Sequence, residues 1–185
     1  MWTGKSGITK VVAASFLAAA LGACASSTPS PGRIGEPGTL PDAAWWYDLQ
    51  VEPRSGEVRG IPIGEFDTDW AAATTLEDGE LTRAGAAGGV ADLRNSGLAF
   101  VAAQDLDRDG TAEEVFVGTY ETRDGSRGRF LAVSSGGRVL RHFVHPGSAG
   151  FSALLPVGDG VRWYKCLECG EFELLRWSGG AYVLE

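Results

Sequence analysis

Basic side chains are in deficit. The 185 residues carry 16 Lys and Arg against 24 Asp and Glu, with two His, for a net charge of −8. A surface of that sign argues against nucleic acid as a partner, because phosphate and carboxylate repel. Long apolar runs are scarce as well. The one continuous stretch, Val11 to Ala20, is too short to span a bilayer as a mature helix. Cysteine is limited to Cys24, Cys166 and Cys169, and histidine to His142 and His145. Neither Gly-x-Ser-x-Gly nor His-Glu-x-x-His occurs, and no glycine loop of the phosphate-cradling kind is present. Two histidines leave little for general acid–base work, so paired carboxylates are the one chemistry left to a hydrolase.

Acids are what the chain does have, and nine residues concentrate them: Asp105-Leu-Asp-Arg-Asp-Gly-Thr-Ala-Glu113. Three alternating carboxylates on a tight loop repel one another unless a cation lies between them. Ca²⁺ takes six to eight oxygens, and Asp105, Asp107 and Asp109 offer side chains for it. Gly110 allows a sharp turn, and the Thr111 carbonyl occupies the next ligand position. An EF-hand would need a bidentate Glu at the twelfth place, which Phe116 holds, and no helical pattern flanks the loop.

The run from Asp105 to Tyr120 instead resembles the calcium loops of FG-GAP and VCBS-type repeats, which join two strands of a propeller blade. In that pattern Asp105, Asp107, Asp109 and Gly110 match residue by residue. The closing position holds Glu113 where the family has Asp, and Glu114 competes for the role. The resemblance implies a Ca²⁺ ion held by Asp105, Asp107, Asp109, Thr111 and Glu113. No second copy of the loop follows, and a whole propeller of several blades of ~40 residues would not fit.

At the other end, Lys5 and Lys10 precede the apolar run, and Leu21-Gly-Ala-Cys24 closes it. A basic segment, a short apolar segment and small residues at a cleavage point make a secretory signal over residues 1–23. Leu21 to Cys24 resembles a bacterial lipobox, which implies cleavage before Cys24 and lipidation of that residue. No Asp follows Cys24 directly, and by the same resemblance this favours the outer membrane. Residues 24–41 are rich in Ser, Pro and Gly and read as a flexible tether. Loss of Lys5 and Lys10 with the signal leaves 14 basic residues against 24 acidic, a net charge of −10.

Residues 42–185 are long enough for one domain with its own core. Its first part is mixed. Trp45, Trp46 and Tyr47 read as core-edge packing or as a sugar-binding platform. Asp67-Thr68-Asp69-Trp70 followed by three Ala predicts a short helix, capped by Asp67 or Thr68 and stopped at Gly79. Ala84 to Ala91 reads as loop, with a turn of helix over Val90–Arg94. Past Gly97 the expected fold class is mainly β, an antiparallel meander of about eight short strands in blade-like sheets. They fall at Leu98–Ala103, Glu113–Thr122, Arg129–Ser134, Arg138–His145, Phe151–Val157, Val161–Lys165, Glu171–Trp177 and Ala181–Leu184, separated by glycine-rich turns. Unbroken apolar character in Phe130-Leu131-Ala132-Val133 predicts burial on both faces, whereas Phe172-Glu173-Leu174 alternates.

Cys166 and Cys169 lie between two of these strands. In an oxidising compartment a disulfide is the simplest use of them. Zn²⁺ is the alternative, with His142 and His145 completing four ligands, but residues three apart on a strand face opposite ways. The expected protein is a lipoprotein of the bacterial outer membrane, facing the periplasm or the cell surface. Its β domain would hold Ca²⁺ and bind an envelope protein or glycan. The rivals are an envelope hydrolase using carboxylates near the acidic loop and a ligand-free structural protein.

Overall fold

The fold grows from two strands that have no polar face to give to water. The computed structural model describes residues 45–167 and 169–185, so the signal sequence, Cys24 and the tether lie outside the described residues. Helix α1 (Trp45–Asp48) is followed by a small hairpin, β1 (Glu57–Val58) and β2 (Ile61–Pro62), and by a 3-10 turn over Ile63–Glu65. Strand β3 (Trp70–Thr75) leads to two short helices, α2 (Asp78–Arg83) and α3 (Gly89–Asn95). Then come β4 (Val101–Gln104), β5 (Glu113–Thr122), β6 (Arg127–Ser135) and β7 (Arg138–Pro146). Strands β8 (Ala153–Val157), β9 (Gly160–Tyr164), β10 (Phe172–Ser178) and β11 (Ala181–Leu184) complete the chain. The protein is mainly β, and its strand pairings are antiparallel.

Strands β8 to β11 form one sheet in simple sequence order. The larger sheet runs β3-β5-β6-β7, with β4 sharing β5's outer side with β3. Thr75 pairs with Gly118, and Val101 pairs with Phe116 just beyond. Successive side chains of a strand point to opposite faces, and here both faces are covered. Val115, Val117, Leu131 and Val133 join Leu154, Val161, Trp163, Leu175 and Tyr182 of the second sheet in the main core. On the reverse face Phe116, Tyr120, Phe130 and Ala132 meet Val58, Ile61, Phe66 and Trp70. Phe130 to Val133 are all fully buried, as two-sided packing requires. Glycine is needed at Gly118, where an added Cβ would collide with the Thr74 carbonyl and the Phe130 ring.

The eight strands expected after Gly97 are present, shifted by a few residues at their ends. The helix expected from Asp67 is not. Asp67 Oδ1 does accept the Asp69 N–H at 2.9 Å, as a cap would, but the chain turns there into β3. Trp70 stacks on Phe66 and Tyr120 with ring centroids 5.5 and 4.8 Å away. Burial of that ring outweighs the helical preference of the alanines, a few tenths of a kcal/mol per residue. Gly79 lies inside α2 rather than stopping a helix. Strand β10 also differs: Leu175 is the inward residue, and Phe172 lies exposed beneath the Arg162 guanidinium. At the N-terminal side, Trp45 and Trp46 pack against the main core and Tyr47 is exposed.

His142 on β7 packs edge-on against Phe66 and Trp70. Burial lowers its pKa, Asp67 opposes the shift and Arg141 adds to it. The folded state therefore favours neutral imidazole, and the unfolded chain takes up the proton first as pH falls. Stability should be lost as pH drops through the ordinary histidine value of ~6.5 toward the lower folded one. Melting followed from about pH 7.5 to about pH 5.5 should show this fall, and His142→Phe should make it shallower, leaving the share of His145, whose pKa burial also lowers. An unchanged slope in that variant would remove His142 from the account.

Candidate metal centre

Strands β4 and β5 pair in register Gln104 with Glu113, so residues 105–112 are the loop that joins them. Leu106 is buried in the main core and pins the loop from below. Arg108 and Gly110 take left-handed backbone angles, with φ of 64° and 93°. That conformation costs a non-glycine residue about 1 kcal/mol, which the surrounding contacts must offset. The aspartates organise the turn themselves. Asp105 Oδ2 accepts the Gly110 N–H at 3.1 Å, and Asp107 Oδ1 accepts the Asp109 N–H at 3.0 Å. Asp109 Oδ1 accepts the Thr111 N–H at 2.7 Å.

These bonds bring the three carboxylates together. One oxygen each from Asp105, Asp107 and Asp109 lies within 4.8 Å of the other two. Among the described residues, this is the one group of three or more His, Cys, Asp or Glu side chains so gathered. Hard carboxylate oxygens on an adaptable loop suit Ca²⁺ better than Mg²⁺, which demands a near-ideal octahedron and gives up water reluctantly.

Glu113 and Glu114 go to opposite faces of β5. Glu113 is only 2 % exposed, and its Oε2 accepts the Leu106 N–H at 2.8 Å. It braces the loop from the core side. Glu114 pairs with Arg59 in the turn between β1 and β2, tying that hairpin to the larger sheet. Two further polar groups stand near the loop. Gln104 donates Nε2 to the Gly158 carbonyl at 3.1 Å, and its Oε1 is buried without a partner. The buried Tyr182 hydroxyl stands beside Glu113 without a well-formed hydrogen bond to it. Burial, then the negative charges of Glu113 and Asp107, raise its pKa, and a weak hydrogen bond toward Glu113 and the charge of Asp109 add to the effect. Nothing in the spacing of the sequence singled out Tyr182, which arrives from the far end of the chain.

The cysteines lie elsewhere. Cys166 and Cys169 are at disulfide distance, Cα atoms 5.7 Å apart, in the connection between β9 and β10. They line a cavity of about 680 Å³ with His145, Lys165, Phe172 and Glu173. His142 is on the opposite face among aromatic rings, so the four-ligand zinc arrangement does not assemble. No protein-family model matches the chain, and no curated protein or solved structure matches it.

The two thiols should be bonded to each other in the native protein. Intact mass with and without alkylation decides the point: two alkylated cysteines without prior reduction would refute the bond. The ring is small, so its loss should cost less than the ~3 kcal/mol expected for a 15-residue loop.

Proposed function

We propose that this chain is a lipoprotein anchored in the bacterial outer membrane through Cys24, with a β domain that holds a structural Ca²⁺ ion and serves as a binding module. The observation that carries the calcium reading is the convergence of Asp105, Asp107 and Asp109 on a turn already shaped by their own carboxylates. A bound cation would neutralise three like charges, with the Thr111 carbonyl and Glu113 completing the ligand set. Glu114 is committed to Arg59 and is left out of that set. The partner is an envelope protein or glycan, in keeping with the acidic surface that argues against nucleic acid.

An ion that binds only the folded state adds RT ln(1 + [L]/Kd), about 2.7 kcal/mol at a hundredfold excess over Kd. Extracellular modules bind Ca²⁺ at ~10⁻⁴–10⁻³ M, so millimolar calcium is the appropriate range. Melting of the full chain in chelator, calcium and magnesium should rank calcium highest. Asp107→Asn should abolish the calcium increment, while Glu114→Gln should keep it. A melting point indifferent to several millimolar calcium would return the loop to being a solvated acidic turn.

The anchor has its own test. Cys24→Ser should leave the precursor uncleaved or shift the protein out of the membrane fraction. Normal lipid labelling of that variant would defeat the assignment.

A further inference from the structure

Strand β7 ends the larger sheet on one side, and among the described residues nothing pairs with its outer edge. It is nine residues long and none of them is buried, whereas its neighbour β6 is buried along most of its length. Gly147 donates to the Arg127 carbonyl at 2.9 Å. Antiparallel pairs alternate between bonded and unbonded, so His145, Phe143 and Arg141 turn their N–H and C=O groups to β6. Val144 and His142 turn theirs to the open edge. An edge of this kind is a ready template for one more strand.

Charge selects which strand would fit. Between Gly125 and Gly158 the chain has four Arg and no acid, although the whole carries 24 Asp and Glu. Arg127 is held by Glu121, and Arg129 by neutral oxygens. Arg138 and Arg141 form no ion pair among the described residues. Asp67 lies toward His142 and Glu173 toward His145, which leaves these two arginines as the uncompensated charge. Arg138, Arg141 and His145 pair with Ser135, Val133 and Arg129 of β6, and so lie on one face. Val144 lies on the other, 47 % exposed, and Leu140 at the register shift is 46 % exposed. Two copies of such an edge would set arginine against arginine, so the charge opposes self-pairing and favours an acidic segment.

We propose that the open edge of β7 receives an extended acidic segment of a partner protein, added as a further strand with its carboxylates beside Arg138 and Arg141 and its apolar side chains over Val144 and Leu140. This inference rests on the binding-module reading above and chooses protein over glycan as the partner, but it needs neither the cation nor the anchor. In strand addition the main-chain bonds supply affinity and the side chains specificity.

The probe is a synthetic peptide of alternating Glu and Val, as long as β7, titrated by calorimetry into the full chain. A peptide of alternating Lys and Val is the charge control. Two further versions of the acidic peptide are methylated on the Glu nitrogens or on the Val nitrogens, because an added strand presents only every second N–H to its neighbour. We expect the acidic peptide to bind and the Lys peptide to fail. One methylated version should bind like its parent and the other should not. Exchange of the Val144 and His142 amides should slow in the complex, and joint Arg138→Glu and Arg141→Glu should weaken binding about tenfold or more. No binding of the acidic peptide at millimolar concentration would overturn the proposal. Equal binding of the Lys peptide, or equal behaviour of the two methylated versions, would overturn it too. Val144 and His142 amides already protected in the free chain would do the same, showing the edge covered by the chain itself or by a second copy. None of these results touches the calcium and anchor tests, so the two readings fail separately.

Discussion

Everything else in the molecule depends on β5 and β6 being buried on both faces. A strand that alternates polar and apolar side chains can slide by two residues and lose little, but one packed on both sides has a single register in which every side chain fits. Phe116 and Phe130 need the aromatic layer, Val117 and Leu131 need the main core, and Gly118 must stand where Phe130 and the Thr74 carbonyl leave no room for a Cβ. That register then dictates the chemistry at the strand's beginning. Because Val115 and Val117 face the main core, Glu113 must face it too, and Glu114 must turn the other way. Two adjacent acids of near-identical character thus receive different tasks from strand parity alone.

Legibility along the sequence follows the same physics. After Gly97 the turns are written in Asp-Gly, Gly-Gly and Ser-Gly-Gly, residues that take left-handed backbone angles at little cost, and the strands between them could be placed closely. The continuous apolar run at Phe130–Val133 announced its burial directly. Before Gly97 the local signals and the tertiary environment disagree. Asp67 makes its cap-like bond, yet the aromatic layer claims Trp70 and draws the following alanines into β3. Phe172 and Leu174 suggested an inward face, although Leu175 is the residue that the core accepts. The acidic loop was readable because its ligand candidates are close in sequence. Tyr182 was not, because only the packing of the two sheets brings it there.

Several ion pairs tie elements of the N-terminal half to their neighbours. Arg59 bonds Glu114 across from the β1–β2 turn, and Arg54 meets Glu80 of α2 beside Arg83. Such partly exposed pairs contribute little stability each, on the order of 0–1 kcal/mol. Their value is geometric: Arg59 joins the β1–β2 turn to β5, and Arg54 joins the segment before β1 to α2. Arg129 is treated differently, with neutral acceptors for its guanidinium: the Lys165 carbonyl at 2.9 Å and the Ser148 hydroxyl at 2.7 Å. Burial lowers its pKa, and hydrogen bonds to oxygen dipoles stand where a carboxylate might have been.

The shared outer side of β5 has a kinetic meaning. Strands β4 to β7 join neighbour to neighbour by short connections, so their pairing closes small loops and requires little chain entropy. Strand β3 must instead find β5 across two helices and the whole of β4, a contact of much higher order. The meander should therefore zip first and leave half of one edge of β5 open. That interval, with the backbone of Gly118 to Thr122 still unpaired, is when the nascent chain is most open to pairing with a neighbour. Trp70 ends the interval: its insertion between Phe66 and Tyr120 latches the last strand and closes the edge.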